Sequence, residues 1–202
     1  MATKTIIIPP VERQWIEVRV RGSAPLICHR YSERAQDAMA KAQQGAAKSK
    51  KPPREPEREF QDAQYRLPDG RHGFPAIGIK RAMVSAGQRF AAERSTELFG
   101  AFTIVGELLP IESPREPSMR TDRVVIGGAS RTTSLAYRPQ YDPWEMVIPL
   151  VVNVSFVSVD QIINLLTLAG FSVGIGDWRP ERKGPFGTWE IVDMRQIEQR
   201  AA

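Results

Sequence analysis

Hydrophobic and polar residues alternate near the start of the chain. Ile16, Val18 and Val20 fall on one side of segment 14–20 and polar residues on the other, which predicts a strand with one solvent-facing side. A longer apolar run at 144–155 predicts a central strand, in which Pro149 favours an edge or a bulge. Shorter runs at 102–109 and 188–194 predict two more strands.

Two segments follow the helical period instead. Apolar residues such as Ile79, Met83 and Phe90 share one face of segment 79–92. Segment 160–170 is rich in leucine and isoleucine, and we expect Asp160 to cap its start and Gly170 to end it.

The resulting order is strand, helix, strand, strand, helix, strand. This order predicts an α+β fold with a ferredoxin-like β-α-β-β-α-β core, in which two helices cover one face of a four-stranded antiparallel sheet. RNA-recognition modules hold single strands on the open face of such a sheet. We therefore expect residues 1–202 to form a single ferredoxin-like domain with two large insertions.

The first insertion, 33–62, combines an alanine- and lysine-rich stretch with three prolines among dense charges, which predicts a flexible, solvent-exposed segment. The second, 111–143, is rich in arginine, proline and glycine. Within it, residues 123–126 and 132–137 flank Gly127 and Gly128, which predicts a projecting, thumb-like hairpin.

Composition excludes several classes of protein. The single cysteine, Cys28, excludes an internal disulfide, and two histidines without carboxylates at ligand spacing predict no metal site. No apolar stretch approaches the roughly 20 residues of a membrane span, and no signal peptide is visible, so we expect a cytoplasmic protein with no membrane partner. The net charge is +5, and most of the cations are arginine, which favours a polyanionic partner.

Motifs for catalysis and cofactor binding are absent or out of context. Residues 170–174 fit the G-x-S-x-G pattern of hydrolases, but a predicted helix precedes Ser172 and both histidines lie upstream of it. The chain has no Walker-type phosphate loop, and Arg179 interrupts a dinucleotide-binding glycine pattern. We therefore predict no catalytic residue and no cofactor.

The strongest signal for binding is the glycine-rich segment 170–187. Its glycines permit close backbone approach, and amides that follow a helix can bind an anion. Aromatic residues stand among cations there, as in proteins that bind single strands. The alternative is a structural turn in which Trp178 and Phe186 cap the core.

A glycine-rich loop between the last helix and the last strand resembles the RAMP superfamily of Cas7-type CRISPR backbone proteins. Residues 18–27 are similar to that family's first strand, and residues 74–84 to the start of its first helix. The insertion 111–143 lies where such proteins extend a hairpin thumb. Residues 174–180 also resemble bacteriophage proteins that carry a Gly-Ile-Gly-Asp-Trp-Arg-Pro run. The resemblance implies RNA binding by subunits that polymerise head-to-tail.

We therefore expect a non-enzymatic protein that binds single-stranded nucleic acid, RNA in preference to DNA, and forms a filament-like homo-oligomer along it. Phe74 is a further candidate surface for bases. The predicted binding residues are Arg30, Lys80, Arg81, Arg131, Tyr137, Arg138, Gly174, Gly176, Trp178, Arg179, Arg182, Lys183 and Phe186.

Two alternatives stay open. The chain could be a phage structural or decoy protein that binds other protein subunits, with Trp144 and Trp178 as interface anchors. It could also be a metal-dependent ribonuclease, because some members of the family cut RNA with an aspartate in the loop after the first strand. Asp37 and Asp62 lie in the comparable insertion.

Overall fold

The computed structural model describes residues 10–31, 33–45, 53–92, 94–126 and 132–198. Helices and antiparallel strands both contribute, which confirms the predicted α+β class. The helices are α1 (Glu33–Gln43), α2 (Pro56–Asp62), α3 (Ala76–Phe90), α4 (Ser95–Ala101) and α5 (Val159–Ser172). The strands are β1 (Arg13–Gly22), β2 (Leu26–Ile27), β3 (Gly73–Pro75), β4 (Phe102–Ile104), β5 (Leu108–Pro110), β6 (Ser118–Ile126), β7 (Thr132–Tyr141), β8 (Glu145–Asn153) and β9 (Trp189–Ile197).

The main sheet has the strand order β4-β8-β1-β9, and all its neighbouring strands are antiparallel. The alternation in the sequence determines which face of this sheet is buried. Ile16, Val18 and Val20 on β1 lie in one buried cluster with Ile79 of α3 and Ile162 of α5. Two helices therefore cover one face of this sheet. The chain order of β1, α3, β4, β8, α5 and β9 is the order predicted for the core.

The predicted strand at 102–109 is divided in two. β4 pairs with β8 in the main sheet, but the chain then turns at Gly106, whose φ is +98°. β5 leaves the main sheet and pairs with β3 instead. The same geometry explains why β8 can contain Pro149. β4 pairs only with Leu150–Val152 of β8, and it ends beside Pro149.

The helix α5 begins and ends outside its predicted limits. Ser158 is its N-cap, because the Ser158 hydroxyl accepts from the Gln161 amide while the Gln161 side chain accepts from the Ser158 amide. The prediction of Asp160 was therefore wrong. The helix continues past Gly170, which is packed so closely that a Cβ there would lie 2.5 Å from the Trp189 carbonyl oxygen.

Both predicted insertions contain helices or strands. Within 33–62, the described residues form α1 and α2. In 111–143, β6 and β7 pair along their length as the hairpin, which begins five residues earlier and ends four residues later than the sequence predicted. β2 extends this hairpin into a second sheet of order β2-β7-β6. Among the described helices, none is long and apolar enough to cross a membrane.

Candidate nucleic-acid interface

A groove runs along one side of α3. It consists of two hollows of about 730 and 820 Å³, which share Tyr65, Pro75 and Ile77 in their walls. The larger part of the first hollow lies between α3 and the residues 174–182 that follow α5. We call the two joined hollows the α3 groove.

Arginine dominates the charge of the α3 groove. Six arginines line it against three carboxylates, those of Glu107, Asp177 and Glu181. Arg81 and Arg182 are exposed, and neither forms an ion pair with any residue that the structure describes. These two guanidinium groups are therefore available to an anion. The six arginines are Arg30, Arg66, Arg81, Arg89, Arg179 and Arg182.

Glu181 joins the two walls of the groove. Its carboxylate accepts from the Ser85 hydroxyl at 2.7 Å and from Arg89 at 3.1 Å, both on α3, and from Arg179 at 2.5 Å. Burial opposes ionisation of Glu181, but the Ser85 hydrogen bond and the two arginines outweigh it and hold its pKa below the usual value. Glu181 thus links α3 to the segment that follows α5 and neutralises part of the groove's positive charge.

The glycines of the loop serve close contacts within the protein. Gly176 has φ +75°, and a Cβ there would lie 2.3 Å from the Ile27 carbonyl oxygen. That same oxygen accepts from the Asp177 amide at 2.9 Å, so the loop is docked on β2 through its backbone. The Gly174 amide donates to Ala169. The amides of Gly174 and Asp177 are therefore already bonded within the protein.

Docking the loop on β2 brings Asp177 beside His29. The His29 Nδ1 and the Asp177 carboxylate are 3.4 Å apart, and Arg138 approaches the same carboxylate at 3.2 Å. Burial raises the pKa of Asp177, but His29, Arg138 and Arg179 together lower it below its ordinary value. Asp177 is therefore an ionised carboxylate that links three segments of the chain.

The predicted binding residues fall into separate groups. Arg30, Arg81, Arg179, Arg182, Gly174, Gly176 and Phe74 line the α3 groove. Trp178, Lys183 and Phe186 lie outside its lining, in the remainder of the loop. Trp178 is 45% exposed with φ +56°, while Phe186 is half-buried beneath the Arg120 guanidinium at 4.8 Å.

Three other predicted residues contact the protein itself, and a fourth cannot be placed. Arg138 is only 8% exposed and lies between Asp122 and Asp177. The Tyr137 ring faces Arg54 at 5.7 Å, and the Lys80 ammonium lies over two phenylalanine rings, where burial lowers its pKa. Arg131 lies outside the described residues.

Sequence reasoning missed the apolar and basic residues that complete the groove. Ile77 and Phe99 line it while remaining 47% and 40% exposed, and Tyr65 forms part of both hollows. The available signal was a second stripe on α3, in which Ile77, Arg81, Ser85 and Arg89 recur every four residues on one helical face. Of this stripe, the sequence prediction includes only Arg81.

The open face of the main sheet is occupied by ion pairs. Arg19 contacts Glu145, Arg21 contacts the same carboxylate, and Arg195 contacts Glu17. Because the acids of the protein already neutralise these cations, this face offers a strand less attraction than the α3 groove does.

The residues of the two alternatives lie away from the groove. Asp37 and Asp62 are not part of its lining, and the described residues include no group of three His, Cys, Asp or Glu that could hold a metal ion. Trp144 is 1% exposed and donates from Nε1 to the Ala24 carbonyl at 2.8 Å. Trp144 is therefore a core residue, whereas Trp178 retains the exposure that an interface anchor needs.

Comparisons with known proteins relate the chain to others through its fold. No family model and no curated protein matches the sequence. Among solved structures, a chain in the cryo-EM structure of the Type III-B Cmr-beta bound to cognate target RNA matches 92% of this chain, with a TM-score of 0.54 and 12% identity. The match spans 61% of that chain. The likeness is one of fold alone.

Proposed function

We propose that this protein binds single-stranded nucleic acid in the α3 groove, RNA in preference to DNA, and that copies assemble head-to-tail along the strand. The observation that carries the proposal is the excess of arginine in the groove, with Arg81 and Arg182 unpaired among the described residues. Guanidinium groups bind phosphates through paired donors, and their attraction is sequence-independent.

Apolar side chains in the same groove suit the other half of the ligand. Ile77 and Phe99 are exposed beside the arginines, and Tyr65 lines both hollows. The bases of a single strand are unpaired and can stack on such surfaces, whereas the bases of a duplex are already paired and stacked on each other. The RNA-bound assembly that contains a chain of similar fold supports RNA as the ligand. The proposal includes binding only and assigns no cleavage step.

The test is a fluorescence-anisotropy titration with labelled RNA and DNA oligonucleotides of one sequence, at salt concentrations from 50 to 200 mM. We expect binding that weakens steeply with salt. The double variant Arg81→Met, Arg182→Met should reduce the log–log salt slope by about 1.4, because each contact to a single-strand phosphate contributes about 0.7.

Arg123→Met is the matched control. Arg123 is exposed on β6, and its side chain forms no ion pair within the described ranges, but it does not line the groove. We expect its slope to equal that of the wild type. Absence of binding at 50 mM salt, or equal slopes for the double variant and the control, would contradict the proposal. Adding Mg²⁺ to the RNA titration tests the ribonuclease alternative, which requires cleavage that is lost at Asp37 or Asp62.

Trp178 favours a second candidate function, the binding of another protein subunit. A bulky residue rarely adopts positive φ, and here the backbone of Trp178 is packed against Gly184, where a Cβ would lie 1.8 Å from its carbonyl oxygen. The fold thus holds a tryptophan half-exposed outside the groove. Trp178→Ala should reduce self-association in sedimentation velocity while leaving RNA affinity at monomer concentrations unchanged if a protein contact is its role.

A further inference from the structure

A line of charged side chains connects the β6–β7 hairpin to the α3 groove. Arg120 of β6 stacks on Phe186 and pairs with Asp122 at 2.9 Å. Asp122 faces Arg138 of β7 at 3.6 Å, and Arg138 faces Asp177 at 3.2 Å. The inner face of the hairpin is thereby joined to both ends of the loop 177–186.

Arg138 is the buried cation of this line. Its side chain is 9% exposed, so the guanidinium is enclosed between two carboxylates and not presented to solvent. Its Nε and Nη1 groups form no well-directed hydrogen bond in the described part of the chain, and charge attraction alone holds them. Burying an arginine in this way costs free energy that an apolar residue would avoid. Its presence therefore requires a reason other than stability.

The position of Asp177 supplies that reason. Its carboxylate lines the groove, contacts His29 and lies one residue after Gly176, where the loop docks on β2. Arg179, which follows two residues later, lines the groove and donates to the Gly176 carbonyl at 3.0 Å. The Arg138 cation beside Asp177 therefore helps to hold the segment that carries Arg179 and Arg182.

We propose that Arg138 is a positioning residue for the α3 groove. Arg138 contacts no nucleic acid, but it holds Asp177 and thereby keeps the groove wall of residues 174–182 in its binding geometry. This inference rests on the proposed function. It assigns to Arg138 a role different from the phosphate contact that the sequence predicted.

Salt dependence separates the two roles of an arginine. Loss of a phosphate contact lowers the salt slope, whereas loss of a positioning residue lowers affinity at an unchanged slope. Arg138→Met should therefore weaken RNA binding by roughly 2- to 30-fold, the range typical of residues that act through a network, with the wild-type slope. Arg182→Met should lower the slope by about 0.7. Arg138→Lys keeps the charge and should recover part of the affinity.

The experiment combines anisotropy titrations of these variants with hydrogen exchange on the free proteins. We expect Arg138→Met to speed exchange of the Asp177 amide, which donates to Ile27, and Arg182→Met to leave it unchanged. Should Arg138→Met fail to fold, Asp177→Asn is the second variant, because it keeps the shape of the side chain and removes the charge that Arg138 holds.

The outcomes separate this inference from the proposed function. A wild-type protein that binds no oligonucleotide overturns the proposed function and with it the inferred role in binding, and the exchange data then report only whether Arg138 holds the loop. Wild-type binding with a slope reduced by Arg138→Met would make Arg138 a phosphate contact. Wild-type binding with unchanged affinity and exchange in that variant would show that Arg138 positions nothing.

Discussion

Glu181 should oppose binding while it supports the fold, and this pair of opposite effects can be measured on one variant. Glu181→Gln keeps the shape of the side chain and removes its charge. The Ser85 contact can persist as a neutral hydrogen bond, and the Arg179 guanidinium can still donate to the new amide oxygen, but the charge that attracts Arg89 and Arg179 is lost. The substitution thus loosens the link between the groove walls and frees two cations.

The loss of stability follows from the contacts. Hydrogen bonds to a charged group contribute about 1.5–3 kcal/mol and neutral ones about 0.5–1.5 kcal/mol, so the change costs about 1–2 kcal/mol. The Glu181 side chain is only 15% exposed, although Arg89 is half-exposed and more screened, which favours the lower value. For a protein of this size, we expect Tm to fall by about 2–8 °C.

The gain in affinity has the opposite sign. Each arginine released to contact a phosphate should steepen the salt slope by about 0.7, so the variant gains most at low salt. Thermal unfolding and RNA anisotropy titrations at 50 mM salt measure the two effects. Glu190→Gln is the control, because Glu190 is exposed on β9 and its side chain forms no hydrogen bond or ion pair among the described residues. If Glu181→Gln loses affinity together with stability, Glu181 does not neutralise the groove and the reasoning is refuted.

Gly176→Ala should destabilise the protein by about 2–4 kcal/mol, since it adds left-handed strain and a clash with the Ile27 carbonyl; urea unfolding measures this. Gly70→Ala is the control, because Gly70 also has a positive φ but a Cβ there would meet no neighbouring atom. An equal loss of stability in both variants would mean that the close approach of Gly176 to β2 contributes nothing. Acid should also destabilise the fold. Because the pKa values of Asp177 and Glu181 are lowered on folding, their contribution is complete above the unfolded values near 4 and is lost as pH falls through the folded ones. Urea titrations from pH 7 to 3 should show this decline, and Glu181→Gln should flatten it; a wild-type stability independent of pH would contradict it.

The core of the fold could be read from the sequence because local patterns determine it. The alternation of Ile16, Val18 and Val20 predicted β1, and the apolar stripe from Ile79 predicted α3, both of which the structure contains. The prediction of the start of α5 was wrong because two nearby side chains could both cap the helix. Ser158 forms the cap of α5 through a reciprocal pair with Gln161, although Asp160 is a comparable capping residue by type.

The groove was only partly predictable because it depends on contacts between distant segments. The arginine-rich segments of the sequence pointed to Arg81, Arg179 and Arg182, and these residues line the groove. The prediction assigned Arg138 to the same ligand, since nothing in the sequence reveals that β7 places this residue between Asp122 and Asp177. The glycines were recognised as sites of close approach, but the partner of Gly176 is the Ile27 carbonyl, some 150 residues earlier in the chain.

The position of the bound strand is the most direct test of the account. RNA that carries 4-thiouridine can be crosslinked to the protein at low salt, and the attached peptides can be identified by mass spectrometry. We expect crosslinks at the walls of the α3 groove, on peptides that contain Tyr65, Ile77 or Phe99. Crosslinks confined to β1 and β8, on the open face of the sheet, would contradict the central claim.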